Sequence, residues 1–173
     1  SQSGNFAAVE ANEPGSVAKV FSIAAAINEG AVDTASSFSV PGSQVFDKGT
    51  QWEYKVTDAY PHGLEDMSVR KIFVDSSNIG TIQISRTLDT KKNHEYLKLF
   101  GFGTKTSVEY PCESRGSLRP VSKWQGTEKF SFSYGYGYTS TALQLAAAVN
   151  VVANKGVYVA PKMLLKSTDK DGT

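Results

Sequence analysis

The sequence predicts an α/β (α+β) fold that is mainly helical with a few short strands. Three observations predict it. Apolar residues recur at helical spacing in several separate segments; short alternating pieces such as "SFSV" and "WEYKVT" sit between turn signals; and no internal repeat or low-complexity tract interrupts them. The chain has 173 residues, 40% hydrophobic and 20% charged, which suits a globular unit of one domain rather than two.

Taken in order, residues 1–4 ("SQSG") read as the remnant of an appended tag. Glu13-Pro14-Gly15 is a turn into a helix over Ser16–Glu29, closed by Gly30, with Ile23, Ala24 and Ile27 on its apolar face and Val20 behind them. Residues 31–64 are mixed, with turns at Pro41-Gly42, Lys48-Gly49 and Pro61-His62-Gly63. Ser68 caps a short helix, "VRKIFVD"; Ser76-Ser77-Asn78 is a polar break; "IGTIQISRTL" and "NHEYLKLFGF" are helices. Residues 101–129 read as loop, and "KFSFSYGYGY" alternates apolar and polar before it turns. Thr141 and Gln144 form a capping box for a helix over Ala142–Asn154, with Leu145, Val149 and Val152 on one face; after Gly156, "VYVAP" reads as a strand.

Composition excludes several classes. The net charge is +1 and no basic block appears, so nothing steers the chain to nucleic acid or a lipid surface. The longest strongly apolar run, "FSIAAAI", falls far short of the ~20 residues that span a bilayer, and no signal peptide is present. A single cysteine, Cys112, excludes an internal disulfide and a Cys-rich metal site, and reads as a partly buried bystander. His62 and His94 read as surface histidines without a partner at metal spacing, so no metal or organic cofactor is expected. Trp52 and Trp124 read as core or loop anchors, and Tyr134, Tyr136 and Tyr138 as residues that pack on the following helix.

Two short patterns carry chemistry. Ser-x-x-Lys places a hydroxyl and an amine on one helix face. A lysine whose proton affinity is lowered can take the serine proton, and a helix N-terminus favours the oxyanion that develops. The pattern occurs three times, at Ser16–Lys19, Ser68–Lys71 and Ser167–Lys170. Such matches are usually caps or solvated pairs; Ser68 reads as a cap and Ser167 lies in a polar tail. Ser16 differs because it follows a Glu-Pro-Gly turn and heads an apolar helix, where a solvated Lys19 would be misplaced. Ser-x-Asn occurs at Ser76–Asn78 and, as a chance twin, at Ser3–Asn5; the former is either a plain turn or a second hydroxyl beside an amide that grips a peptide.

Order and separation join the two patterns, about sixty residues apart. "EPGSVAKVFSIAAAINEG", "DSSNIGTIQIS", "FGFGTKTSVEYPCESRG" and "SFSYGYGYTSTALQLAAAVNVVANKGVY" together resemble the transpeptidase domain of class B penicillin-binding proteins of the division type, over about Asn5 to Met163. One element departs: no Lys-Thr-Gly or Lys-Ser-Gly triplet occurs, and the sheet strands that precede the Ser-x-x-Lys helix in the family are also missing, so residues 1–173 are expected to be the helix-rich part of one transpeptidase domain with the penicillin-binding transpeptidase/β-lactamase-like fold.

The resemblance implies a peptidoglycan D,D-transpeptidase of the bacterial envelope, outside the cytoplasmic membrane, with its anchor absent from this chain. The implied partners are D-Ala-D-Ala stem peptides, β-lactams, the remaining segments of the same domain, and divisome or elongasome proteins. It implies Ser16 as nucleophile, Lys19 as general base, Ser76 as proton relay, and Asn78 as a holder of the substrate amide that also orients Lys19; Ser77, Tyr136 and Gly137 are expected to line the substrate groove. A hydrolytic relative, either a D,D-carboxypeptidase or a β-lactamase, would share Ser16 and Lys19, although no Glu-x-x-x-Asn loop of the class A kind follows Ser-Ser-Asn. A non-enzymatic penicillin sensor or scaffold is the third reading. The resemblance further implies that a backbone N–H just beyond the missing Lys-Thr-Gly strand completes the oxyanion hole, so residues 1–173 alone are expected to react with a labelled penicillin roughly 10² to 10³ times more slowly than a complete domain, and single-turnover labelling of both would check this.

Overall fold

The structure is a computed structural model that describes residues 4–164. Most of the "SQSG" leader and the Ser167–Lys170 match lie outside the described residues. The elements in order are α1 (Phe6–Val9), β1 (Ala11–Asn12), a 3₁₀ turn (Gly15–Val17), α2 (Ala18–Asn28), β2 (Ser37–Val40), β3 (Ser43–Phe46), β4 (Tyr54–Thr57), β5 (Glu65–Ser68), α3 (Val69–Val74), α4 (Asn78–Ser85), α5 (Thr90–Leu99), a 3₁₀ turn (Val121–Lys123), α6 (Glu128–Ser131), a 3₁₀ turn (Phe132–Tyr134), β6 (Ser140–Thr141) and α7 (Ala142–Ala153). The strands pair antiparallel as β1–β6, β2–β5 and the hairpin β3–β4.

The helix-rich α+β expectation holds, and α2 is its spine. It packs on α3, α4, α5 and α7. Ile23 and Ala26 enter one core with Val40, Phe46, Val56, Met67, Ile72, Ile79 and Ile82. Ala18 and Phe21 enter a second with Phe100, Phe102, Trp124, Phe132, Tyr138 and Val151. Each large apolar side chain buried this way contributes roughly 1.5–3 kcal/mol. Phe21 meets Phe100 and Phe102 with ring centroids 5.0 and 5.1 Å apart. Because two cores flank α2, its buried set includes Lys19 and Ser22 as well as Ala25 and Ala26. The expected apolar stripe is displaced accordingly: Ile23 is buried, Val20 and Ala24 are half-buried, and Ile27 is exposed.

Local signals placed the helix ends. Ser68 Oγ accepts the Lys71 N–H at 3.1 Å, and Lys71 Nζ turns to Asp75 and Glu65, so this second Ser-x-x-Lys is a cap and a surface ion pair. The Thr141–Gln144 capping box is present, and Gln144 Nε2 also donates to the carbonyls of Thr104 and Arg115, tying the 101–129 segment to α7. Other expectations shift. α5 starts at Thr90 because Asp89 caps it, accepting the Lys92 N–H at 2.7 Å. On α7 the buried residues are Gln144, Ala147, Ala148 and Val151, whereas Val149 and Val152 are exposed. Residues 157–161 form no strand among the described residues, since no neighbouring strand is there to pair with them. The period-2 aromatics of "KFSFSYGYGY" sit on α6, a 3₁₀ turn and two glycine turns; Phe130, Phe132, Tyr134 and Tyr138 are buried, but so are Ser131 and Ser133 between them. β3 and β5 are strands beyond those expected: "EDMS" carries little β propensity, and "SQVF" has only two strand formers in a four-residue piece between turns. His94 is buried, its Nε2 2.9 Å from the Arg119 carbonyl and its ring against Trp124; Cys112 and Trp52 are exposed.

One glycine contact sets where Ser16 stands. Gly135, at φ 99°, accepts the Gly15 N–H at 3.1 Å, and a Cβ on it would overlap the Gly15 backbone. Glu13 Oε1 reinforces the junction by accepting the Gly137 N–H at 3.0 Å. Gly135→Ala is expected to destabilise the fold by about 2 kcal/mol or more, through both left-handed strain and the clash, as read from the midpoint of urea unfolding.

Candidate active site

Ser16 lies in the 3₁₀ turn ahead of α2 rather than in the α-helix proper, and it is exposed. It opens onto a cavity of 540 Å³ lined also by Glu13, Tyr54, Lys55, Thr57, Asn78, Glu128, Tyr134, Tyr136 and Gly137. The cleft therefore brings together Ser16, Asn78, Tyr136 and Gly137 of the residues expected from the sequence. Tyr136 is exposed to it, with its ring edge-on to Tyr134 at 5.4 Å. Gly137, at φ 83°, has its N–H taken by Glu13, so it shapes the turn.

Lys19 lies beneath the cleft, one helical turn on, with only 2% of its surface exposed. Its ammonium head donates to the Ser76 carbonyl and, at 2.8 Å, to Ser76 Oγ; among the described residues neither bond goes to Ser16. Burial pushes its proton affinity down to about 8, against a smaller upward pull from Asp58. The environment thus makes the neutral amine of Lys19 far more accessible than that of a solvated lysine, in contact with a second hydroxyl.

Ser76 reaches Lys19 because of how two helices meet. The N–H of Ser77 bonds the Ile72 carbonyl at 3.0 Å and that of Ser76 bonds the Phe73 carbonyl at 3.2 Å, the pattern of a Schellman helix end. Ser76 takes the left-handed position, φ 54°, that usually belongs to glycine. That backbone turns both the carbonyl and the hydroxyl of Ser76 to Lys19. Ser77 then caps α4, its Oγ accepting the Gly80 N–H at 2.9 Å. Ser77 was expected to touch substrate; instead it is buried, with its hydroxyl spent between Gly80 and Asp58 Oδ2, at 2.6 Å from the latter. Asn78 Nδ2 donates to the Thr57 carbonyl at 3.0 Å, which fixes the amide at the cleft wall; Lys19 is oriented by Ser76 rather than by Asn78.

Sequence reasoning missed Asp58. Its side chain is 5% exposed, and it gathers the N-terminus of α4: Oδ1 accepts the N–H groups of Asn78 and Ile79 at 2.7 and 3.1 Å, and Oδ2 accepts Ser77 Oγ. No spacing rule links position 58 to 76–78, so only the fold reveals the contact. His62, read as a surface histidine without a partner, is largely covered and faces that same carboxylate. No group of three or more His, Cys, Asp or Glu could hold a metal ion among the described residues.

A serine at the mouth of a cleft, backed by a lysine that burial has made ready to lose its proton, has the parts for acyl transfer. The chain belongs to the penicillin-binding protein transpeptidase domain family, whose description matches residues 2–172. Among its relatives, penicillin-binding protein PbpB of Mycolicibacterium smegmatis is 36% identical over 172 residues, covering 99% of this chain and 26% of that protein. The probable peptidoglycan D,D-transpeptidase PenA of Neisseria flavescens is 33% identical over 152 residues, covering 88% of this chain and 36% of that protein. The crystal structure of penicillin binding protein 3 of Mycobacterium tuberculosis complexed with aztreonam superposes with a TM-score of 0.91 at 32% identity, covering 99% of this chain and 37% of that one. The chain thus spans about a quarter to a third of the curated relatives it matches.

The strain at Ser76 can be measured. Ser76→Gly and Ser76→Ala both remove the hydroxyl, but only glycine is at ease at positive φ. The glycine variant is expected to be about 1 kcal/mol more stable than the alanine variant by chemical denaturation.

Proposed function

We propose that this chain is the helix-rich part of one transpeptidase domain of a division-type class B penicillin-binding protein, and that its cleft carries out serine acyl transfer on peptidoglycan stem peptides. The observation that carries this reading is Lys19: buried on α2 one turn after Ser16, lowered in proton affinity to about 8 and bonded to Ser76. A buried lysine with lowered proton affinity, bonded to a second hydroxyl, suits a general base.

In the proposed cycle, Ser16 Oγ attacks the carbonyl carbon of the penultimate D-Ala while its proton passes to Lys19 Nζ. Backbone N–H groups at the head of α2 favour the oxyanion. Collapse breaks the peptide bond, the departing D-Ala nitrogen receives the proton from Lys19 through Ser76 Oγ, and an ester on Ser16 remains. The amine of a second stem peptide then attacks the ester, forming the cross-link and freeing Ser16. Asn78 and the Tyr136-Gly137 turn line the cleft where the peptide would lie. A β-lactam would acylate Ser16 and stay, because its amine remains tethered to the acyl group. The relatives named as D,D-transpeptidases and the aztreonam complex of a neighbour support this reading. It puts the domain on the outer side of the cytoplasmic membrane, working with division or elongation proteins; no helix among the described residues is long and apolar enough to cross a membrane.

In the full-length protein, a labelled penicillin is expected to form an ester that mass mapping assigns to Ser16. Lys19→Ala should slow this roughly 10² to 10⁴-fold. Since only the neutral amine accepts a proton, the rate should climb about tenfold per pH unit below about 8 and level off above it. A label on Ser68 would overturn the assignment.

A further inference from the structure

Behind the Ser76–Asn78 turn, on the side away from the cleft, lies a pair that the acyl-transfer cycle does not use. The Asp58 carboxylate receives four donors: the N–H groups of Asn78 and Ile79, Ser77 Oγ, and the ring of His62, whose Nε2 stands 3.2 Å from Oδ2. The other ring nitrogen of His62, Nδ1, stands 2.8 Å from the Gly63 carbonyl. Both nitrogens therefore face oxygen acceptors with no proton to offer. Neutral imidazole has one N–H, so it can satisfy only one of them; the imidazolium satisfies both. The His62 and Asp58 side chains are 12% and 5% exposed, so their mutual bond is the sheltered one, whereas the Gly63 carbonyl stands in an exposed loop.

We propose that Asp58 and His62 are a positioning pair for the acyl-transfer site: the carboxylate holds the first turn of α4, and with it Ser76 and Asn78, while the imidazolium neutralises that carboxylate and leaves Lys19 free to work as a neutral amine. The inference rests on the acyl-transfer reading above.

Asp58 favours the protonated form of Lys19, whereas burial disfavours it. A cation beside Asp58 cancels part of its pull on Lys19. His62 in turn holds its proton more tightly than a free imidazole, chiefly through its bond to Asp58, with smaller help from the Gly63 carbonyl and Glu65. The other charged or titratable groups facing the histidine side are Tyr60 from its own loop, Glu65 from β5, Lys71 from α3 and Asp75 at the end of α3. Lys71 is bonded to both Asp75 and Glu65, so its charge is already matched there and His62 is the cation directed at Asp58. Loss of the His62 proton leaves the buried carboxylate uncompensated near Lys19, and loss of the side chain also removes one of its four donors.

The test compares the penicillin acylation rate of the full-length protein, His62→Gln and Asp58→Asn at pH 6 and pH 9, reading the ratio of the two rates for each. The ratio cancels any difference in the amount of folded enzyme. His62→Gln is expected to lower the ratio roughly three- to tenfold, because Lys19 holds its proton more tightly while Asp58 stays charged; by pH 9 the variant should approach the parent. Asp58→Asn is expected to move the ratio the other way and to lower the pH 9 rate, because Lys19 loses the carboxylate and the turn loses its anchor. NMR titration of the His62 ring should show its proton affinity falling in Asp58→Asn. Ratios equal to the parent's in both variants, or a uniform loss at both pH values in His62→Gln, would reduce the pair to structural support and overturn the proposal. If the parent protein itself is not acylated at Ser16, the acyl-transfer reading fails first, and the inference falls with it.

Discussion

The structure turns on one contact, the amine of Lys19 against the carbonyl and hydroxyl of Ser76. A lysine head removed from water must find oxygen partners or give up its proton. Here both pressures act at once. Ser76 supplies two oxygens, and burial lowers the proton affinity to about 8. To supply both oxygens from one residue, the backbone at position 76 must take the left-handed conformation. That in turn requires α3 to end and α4 to begin within three residues. The Ser-Ser-Asn sequence meets this demand with a helix-ending Ser76, a helix-capping Ser77 and an Asn78 whose amide faces the cleft.

α2 can present Lys19 to this turn because it is held from several sides. The core around Ile72, Ile79 and Ile82 positions α3 and α4 against it, and the aromatic core around Phe21, Phe100 and Phe102 holds the opposite flank. Ser16 is located independently, by the interlock of Gly15 with Gly135 and of Glu13 with Gly137. Ser16, Lys19 and Ser76 are thus each positioned by different contacts.

Much of the fold was readable from local signals, because those signals act within a few residues. Ser68 and the Thr141–Gln144 box are caps whose bonds close over three positions. What was misread depended on neighbours. Ile27, Val149 and Val152 have the spacing of a buried face, yet they stand exposed, because burial on α2 and α7 follows which elements lie alongside. Residues 157–161 have strand composition but no described partner strand. Period-2 aromatics in "KFSFSYGYGY" are buried by helical turns and glycine bends rather than by a pleated strand. Ser77 looked like a groove residue from its place in the motif and is instead a buried cap.

By itself, the sequence determined the chemistry available: a serine and a lysine one helical turn apart at the head of an apolar helix, and a Ser-Ser-Asn segment some sixty residues on. Side-chain type and helical periodicity suffice for that, since both are local. Tertiary structure alone decided that Lys19 bonds Ser76, that Asp58 anchors α4, and that His62 stands against Asp58. These contacts join positions 57, 20 and 4 residues apart, and only packed elements bring the first two together. Proton affinity belongs with them, because it depends on what a group is buried against and which charges face it, and neither is written in the order of residues.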